Sequence, residues 1–171
     1  MHLSVIIPTR NRSSLLEKAI RSLLVQTYSQ DNFEIIIVDN GSTDRTKDIV
    51  ESYQKELPHL IYVYEPSPGL HVGRHAGLEV ARGDILVYAD DDIEAFPTWL
   101  EGIAESFEDP SVALAGGSNL PRYETPPPPW AELLWNKTPF GRANGTYSIL
   151  DFGNAVQEIS PYYIWGCNFS I

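Results

Sequence analysis

The stretch Ile85-Leu86-Val87-Tyr88-Ala89-Asp90-Asp91-Asp92 joins an apolar run directly to three carboxylates. Such a run is typical of a buried strand, which places the aspartates at its carboxyl end. Like charges this close raise one another's pKa, and removal from water adds to the effect. A divalent cation offsets the repulsion, because Mg²⁺ and Mn²⁺ prefer oxygen ligands and take one or two carboxylates together with phosphate oxygens. A metal–diphosphate site and a solvated acidic turn are both open from this triplet alone.

Apolar runs alternate with helical patterns over roughly the first 117 residues. Beside Ile85–Asp90, the runs that predict strands are Leu3–Ile7, Phe33–Val38, Leu60–Tyr64 and Val112–Ala115. Apolar residues at helical spacing predict helices around Leu15–Leu24, Ile49–Leu57, Val72–Ala81 and Trp99–Phe107. The strand runs are apolar throughout rather than alternating, which is typical of a mostly parallel sheet with helices on both faces. We therefore expect an α/β fold whose ligands bind outside the carboxyl ends of the strands.

Small and polar residues indicate how these helices begin and pack. Asn11 can cap the first helix, and Ser42 or Thr43 can cap the second. In the third helix, Gly73 and Gly77 predict close packing against a neighbouring element, because neither carries a side chain.

The pattern changes after residue 117. The proline run Pro126–Pro129 favours an extended backbone, and one or two helical turns can follow around Trp130. Residues 136–148 carry Gly, Asn, Thr and Pro and predict a loop. Strand fragments are predicted at Leu150–Val156 and Tyr162–Ile171.

Composition narrows the function classes. A chain of 171 residues that is 43% hydrophobic and 20% charged fits one globular domain. A net charge of −11 disfavours nucleic acid as a partner, because phosphate backbones are bound by Lys/Arg clusters. No segment approaches the ~18 apolar residues of a membrane span. The single cysteine, Cys167, and an N-terminus without a signal-peptide pattern predict a cytoplasmic chain, with peripheral contact at the cytoplasmic membrane face left open.

Five stretches carry a family resemblance, in order and in spacing: Ser4–Arg12 (SVIIPTRNR), Val38–Asp44 (VDNGSTD), Gly69–Gly77, Ala81–Asp84 (ARGD) and Asp90–Asp92. Together they resemble the nucleotide-sugar-binding half of the family 2 inverting glycosyltransferases over roughly residues 3–117. The resemblance implies a fold of the GT-A type, a nucleoside-diphosphate-sugar donor, and Mn²⁺ or Mg²⁺ as cofactor.

The resemblance also implies roles for the residues that end the first two strands. Pro8, Thr9 and Arg10 would bind the donor, with the Thr9 backbone near the nucleobase and ribose. Asp39 matches the acid that accepts a hydrogen bond from the base, typically from N3–H of uracil, which makes UDP the preferred nucleotide. The alternative for Thr9 and for Asp39 is a role confined to a turn or a helix cap.

The resemblance further implies roles for residues of the acidic triplet and of the third helix. Asp90 would bind the ribose or the metal, and Asp92 the metal itself. In an extended segment residues i and i+2 point the same way, so Asp91 would point opposite. It could support the site, cap the next helix or be solvated. Arg74 would contact the nucleotide or its phosphates, although His75 follows where the family usually has Asn.

The same helix offers a second, weaker metal candidate. His71 and His75 are one helical turn apart and could in principle ligate a metal. No Glu follows the first histidine, and an oxygen site is nearby, so donor contacts or plain exposure are the preferred interpretation.

The implied reaction is inverting transfer of a sugar to an acceptor hydroxyl on an unknown glycan, lipid or protein, as in glycan or polysaccharide synthesis. Trp165–Ile171 resembles the Gly-x-Asn strand that precedes the catalytic base in the family, so we expect the base beyond Ile171. The chain would then be a fragment forming one domain, with a donor region at 1–117, a truncated acceptor-side region at 118–171, and weak or absent transfer. A non-catalytic nucleotide-sugar-binding domain is the first alternative. A nucleotidyltransferase ranks lower, because that class usually has a Gly-rich loop after its first strand.

Overall fold

The computed structural model describes residues 1–171, which form an α/β structure. Its strands and helices are, in chain order, β1 (Leu3–Thr9), α1 (Ser13–Leu24), β2 (Phe33–Asp39), α2 (Thr46–Tyr53), β3 (Leu60–Tyr64), α3 (Leu70–Val80), β4 (Ile85–Ala89), α4 (Trp99–Ser106), β5 (Ala115–Gly116), β6 (Asn136–Thr138), β7 (Gly141–Asn144), β8 (Ile149–Asp151) and β9 (Asn168–Ser170). Short 3₁₀ turns lie at Gln30–Asn32, Pro129–Leu134 and Pro161–Tyr163. None of the helices combines the length and apolarity that a membrane crossing needs.

Six strands form the central sheet in the order β3-β2-β1-β4-β9-β5. The first four are parallel, whereas β9 is antiparallel to both β4 and β5. This arrangement confirms the mostly parallel sheet that the apolar runs predict. Thr9 pairs with Asp39, so β1 and β2 end level with each other at the carboxyl edge.

Helices cover both faces of the sheet, as predicted. On one face, Leu3, Val5 and Ile7 of β1 share a cluster with buried side chains of α1, α2 and α4. On the other face, Ile6 and Val38 pack against α3 and against Phe169 of β9. Every residue of β1 and β2 is buried, which explains why their sequences are mostly apolar rather than alternating.

The two glycines of α3 let this helix lie directly on the sheet. A Cβ added to Gly77 would come closer than 3.0 Å to Cγ2 of Ile6 and would lie 3.2 Å from Cγ2 of Val38. At Gly73 the added atom would lie 2.9 Å from Cβ of Pro8. The predicted close packing of this helix is therefore confirmed.

The helix starts differ from the cap predictions. Asn11 has a positive φ of 54° and its side chain accepts from the backbone N of Thr43 at 2.7 Å, so it does not cap α1. One carboxylate serves both helices instead. Asp44 Oδ2 accepts from the N of Ser13 at 3.0 Å, and Oδ1 accepts from the N of Thr46 at 3.1 Å. The cap predictions were wrong because the cap of α1 comes from a different loop.

The region after residue 117 contains more strand than predicted. β6 and β7 lie inside the stretch predicted as a loop, and with β8 they form a separate antiparallel sheet. Their sequences, NKT and GRAN, are polar, so no apolar pattern could reveal them. The strand predicted at Val112–Ala115 begins only at Ala115, because Val112 belongs to a turn in which its N donates to the carbonyl of Asp109.

Candidate functional site

The carboxyl ends of β1, β2 and β4, which are neighbours in the sheet, bring the predicted residues to one edge. Thr9 ends β1, Asp39 ends β2, and Asp90 follows β4 directly. Thr9 Oγ1 donates to Asp91 Oδ2 at 2.7 Å, which ties the acidic turn to β1. The Thr9 side chain therefore has a structural role, and its backbone remains the part that could meet a ligand.

Asp91 is held inside the protein. It is 4% exposed, and besides Thr9 it receives a hydrogen bond from Nη1 of Arg12 at 2.6 Å. The same Arg12 nitrogen lies 3.2 Å from Oδ2 of Asp92. The hydrogen bond and the charge of Asp91 raise the pKa of Arg12. Of the three roles left open for Asp91, the structure favours support of its neighbours. Arg12 was missed by sequence reasoning, because nothing in its loop predicts its partner.

Asp90 and Asp92 line an open cleft that Asp91 does not reach. Burial raises the pKa of Asp90; Arg74 opposes the shift, and the charges of Asp92 and Asp91 add to it. The carboxylates of the triplet are accompanied by only two guanidinium groups, Arg12 and Arg74. The turn therefore keeps an excess of negative charge beside the cleft.

This donor set fits a divalent cation that takes further ligands from a substrate. No group of three or more His, Cys, Asp or Glu side chains is arranged to hold a metal, so the protein does not form a closed metal site. Mg²⁺ commonly binds through only one or two carboxylates and completes its shell with water and phosphate oxygens. Asp90 and Asp92 meet that requirement. His71 and His75 are both exposed on α3 and lack a third ligand.

Asp39 is a buried carboxylate, 2% exposed, with donors on both oxygens. Oδ1 accepts from the N of Ser42 at 2.7 Å, and Oδ2 accepts from the hydroxyl of Tyr62 at 2.7 Å. Burial and this hydrogen bond raise the pKa of Tyr62. Asp39 thus organises its turn, as the alternative interpretation held. Each carboxylate oxygen can accept one more hydrogen bond, so Asp39 can still accept from a donor on a ligand. Tyr62 had no sequence signal.

Asn40 holds the loop that leads into α3. Its side-chain nitrogen donates to the carbonyls of Ser67 at 2.6 Å and Glu65 at 3.2 Å. Its Oδ1 accepts from the N of Gly69 at 2.7 Å. This buried amide therefore fixes the position of α3 relative to Asp39, a role that sequence reasoning also missed.

Arg74 is engaged inside the protein. Its Nη2 donates to the carbonyl of Gly166 at 2.6 Å and lies 3.6 Å from Oδ1 of Asp90. The guanidinium carbon lies 5.6 Å from the ring centroid of Phe169. Nε is buried without a partner. Arg74 thus links α3, the acidic turn and the segment before β9.

Two further predicted residues lie apart from this network. Pro8 is buried within β1 and packs against the backbone of α3 at Gly73. Arg10 is exposed, and its side chain has neither a hydrogen bond nor an ion pair. Of these two, only Arg10 has a free side chain to offer a ligand.

The cleft beside the acidic turn has a volume of about 1480 Å³. Asp90 and Asp92 belong to its lining, whereas Thr9, Asp39 and Arg74 do not. The structure therefore brings the predicted residues to one edge of the sheet, but of these five only Asp90 and Asp92 line the cleft.

A mostly parallel sheet with an acidic turn and a buried carboxylate at its carboxyl edge defines a ligand-binding α/β protein. The chain belongs to glycosyl transferase family 2, whose family model matches residues 4–160. Its fold is accordingly of the GT-A type.

Curated relatives agree with this membership. The chain is 34% identical over 113 residues to validoxylamine A glucosyltransferase of Streptomyces hygroscopicus subsp. jinggangensis, covering 65% of this chain and 26% of the relative. It is 33% identical over 116 residues to glycosyltransferase AglE of Haloferax volcanii, covering 67% and 38%. The chain thus spans between a quarter and two fifths of the length of these relatives.

Solved structures show the same likeness. S. aureus TarS 1-349 in complex with UDP-GlcNAc has a TM-score of 0.61 and 27% identity, over 71% of this chain and 37% of that one. The mannosyltransferase PcManGT from Pyrobaculum calidifontis, in complex with GDP-Man and Mn²⁺, has a TM-score of 0.62 and 29% identity, over 66% and 34%.

Proposed function

We propose that this chain provides the donor side of an inverting, metal-dependent glycosyltransferase that binds a nucleoside-diphosphate sugar. The observation that carries the proposal is the acidic turn. Its middle residue, Asp91, is buried and tied to the end of β1, and Asp90 and Asp92 line an open cleft. Family membership favours this function over the nucleotidyltransferase alternative.

UDP is the proposed nucleotide. Asp39 is a buried carboxylate that can accept further hydrogen bonds beside those from Ser42 and Tyr62, and a base that donates an N–H would use this remaining capacity. A TarS structure with bound UDP supports this choice. The likeness to a mannosyltransferase in complex with GDP-Man makes GDP the comparison that any test has to include.

In the proposed mechanism Asp92 and Asp90 would hold Mn²⁺ or Mg²⁺. When bound, the cation neutralises the charge that develops on the leaving diphosphate. Arg12 and Thr9 keep Asp91 in place and so keep the two cleft-facing carboxylates in position. The acceptor hydroxyl would attack from the face opposite the diphosphate, which inverts the anomeric centre. Two parts of the proposal stay predictions. The general base is expected beyond Ile171, and the chain alone is expected to transfer sugar weakly.

Calorimetric titration of UDP and of GDP into the chain tests the proposal. Each titration is run once with Mn²⁺ and once with a chelator. We expect UDP to bind only with the metal, and Asp92→Ala to abolish that binding. Asp31→Ala is the matched control, because Asp31 is exposed and precedes β2 at the opposite edge of the sheet. Equal binding of UDP in chelator, or full binding by Asp92→Ala, would contradict the proposed site.

A further inference from the structure

Exposed side chains form much of the apolar lining of the cleft beside the acidic turn. Six large apolar residues that are between 48% and 63% exposed all line it: Val25, Phe96, Leu120, Tyr123, Trp130 and Tyr147. A single exposed apolar residue is ordinary, but a cluster on one concave surface indicates a binding groove. The proline run Pro126–Pro128 adds further rigid apolar surface to the same wall.

The charges of the cleft do not favour an anionic ligand. Its basic residues are Lys18, Arg21 and Arg122, and its acidic residues are Asp90, Asp92 and Glu94. Arg122 is paired with Glu94, and Arg21 with Glu17. Lys18 alone is left without an ion pair, so no cluster of free cations exists to receive a phosphate-rich chain or an anionic membrane surface.

The size and the polar groups of the cleft favour an elongated ligand with many hydroxyls. Its volume of about 1480 Å³ is larger than the ~300–1,000 Å³ usual for one small ligand. Between the aromatic residues lie short polar side chains that can donate or accept, namely Ser118, Asn119, Thr125, Thr146 and Ser148. Sugar rings match this mixture, because their C–H faces are apolar and their edges carry hydroxyls.

We infer that this cleft binds the acceptor and that the acceptor is a neutral oligosaccharide of at least two rings. The inference rests on the proposed function, which places the reacting sugar carbon near Asp90 and Asp92, two residues that line the cleft. The faces of Tyr123, Trp130 and Tyr147 stack on the acceptor rings. The terminal ring then presents its hydroxyl toward the acidic turn.

Binding of sugars to the full chain tests this directly. The probes are a graded series of neutral gluco-oligosaccharides, α- and β-linked, from disaccharide to pentasaccharide, followed by saturation-transfer NMR and calorimetry. We expect binding to strengthen beyond the disaccharide and to weaken about tenfold in Trp130→Ala and in Tyr147→Ala. Both side chains are more than half exposed, so their removal leaves the core intact.

Two matched controls separate stacking from a general loss of apolar surface. Leu133 is 83% exposed on the same 3₁₀ turn as Trp130, and Tyr162 is 79% exposed, yet neither lines the cleft. Leu133→Ala and Tyr162→Ala should bind the oligosaccharides like the parent chain. Binding that is equal in all four variants would overturn the inference, as would the absence of binding by every neutral probe.

Charged and lipid probes address the other acceptor classes. A sulfated oligosaccharide of matched length and phosphatidylcholine–phosphatidylglycerol vesicles should bind less well than the neutral series. Preference for either one overturns the inference. UDP titration with Mn²⁺ on Trp130→Ala keeps the two proposals apart. In that variant UDP binding should be unchanged while sugar binding weakens. Metal-dependent UDP binding by a parent chain that binds no oligosaccharide refutes the acceptor inference alone, whereas absence of UDP binding by the parent chain refutes the donor site beneath it.

Discussion

Adding one methyl group to α3 should destabilise the protein, whereas the same change in α4 should stabilise it. In Gly77→Ala the new Cβ would lie closer than 3.0 Å to Cγ2 of Ile6 and 3.2 Å from Val38. Both neighbours are 0% exposed and belong to the central sheet, so neither can move aside without disturbing the core. In Gly102→Ala the new Cβ meets nothing within 4 Å.

The magnitude follows from two opposing terms. Replacing Gly by Ala inside a helix stabilises it by about 0.5–1 kcal/mol, and this gain applies to both variants. Overpacking a filled interior costs about 1–3 kcal/mol, and this cost applies only to Gly77→Ala. The helix term cancels in the comparison, so the difference between the two unfolding free energies measures the packing cost alone. We expect Gly102→Ala about 0.5–1 kcal/mol above the parent chain and Gly77→Ala about 1–3 kcal/mol below Gly102→Ala, which leaves Gly77→Ala below the parent chain when the packing cost exceeds the helix gain.

Urea unfolding followed by circular dichroism provides the measurement. With a slope of about 2 kcal/mol per molar, the two midpoints should differ by roughly 0.5–1.5 M. Because α3 carries Arg74, which contacts Gly166, Gly77→Ala should also weaken metal-dependent UDP binding. If Gly77→Ala proved as stable as Gly102→Ala, the argument that α3 lies against the sheet through its glycines would be wrong.

Three further changes test the site and its supports. Asp39→Asn should weaken metal-dependent UDP binding by about 1.5–3 kcal/mol in the same calorimetric titration, since the N–H of the base loses a carboxylate acceptor; unchanged binding would contradict the role proposed for Asp39. Arg12→Ala should weaken metal-dependent UDP binding and lower the unfolding midpoint, because Asp91 stays buried with one donor fewer; an unchanged midpoint would contradict this. Burial raises the pKa of Asp44, but hydrogen bonds from Thr46 and Ser13 outweigh it and hold that pKa below its ordinary value. The stability contributed by Asp44 is therefore present above pH ~4 and lost as pH falls through the lowered pKa, so the midpoints of the parent chain and Asp44→Asn should converge in acid.

The fold was predictable because burial on both faces leaves a strong signal in the sequence. Leu3–Ile7 and Phe33–Val38 are apolar except at Ser4 and Glu34, and a strand covered by helices on both sides favours that pattern. The two polar side chains are buried against each other, since Ser4 Oγ donates to Glu34 Oε1 at 2.6 Å. The polar hairpin of β6 and β7 left no such signal, because its strands are held by pairing with each other rather than by burial. The positions of Thr9, Asp39 and Asp90 were predictable for a related reason, since each stands where an apolar run ends.

The partners of those residues were not predictable, because each partner comes from a segment distant in sequence. Arg12 and Asp91 are separated by 79 positions, and Tyr62 and Asp39 by 23. Arg74 shows the same limit: its hydrogen bond to the carbonyl of Gly166 joins residues 92 positions apart, whereas the ligand contact implied by the resemblance stays a prediction.

The contrast among the aspartates indicates how the edge of the sheet is organised for function. Asp39 and Asp91 are buried and receive donors from the protein, so their charges are used to hold loops in place. Asp90 and Asp92 face the cleft with less compensation, and the raised pKa of Asp90, caused first by burial, shows that its charge is not fully offset. In the proposed metal-dependent site the buried pair would supply a rigid frame, and the cleft-facing pair would keep the uncompensated charge that favours cation binding.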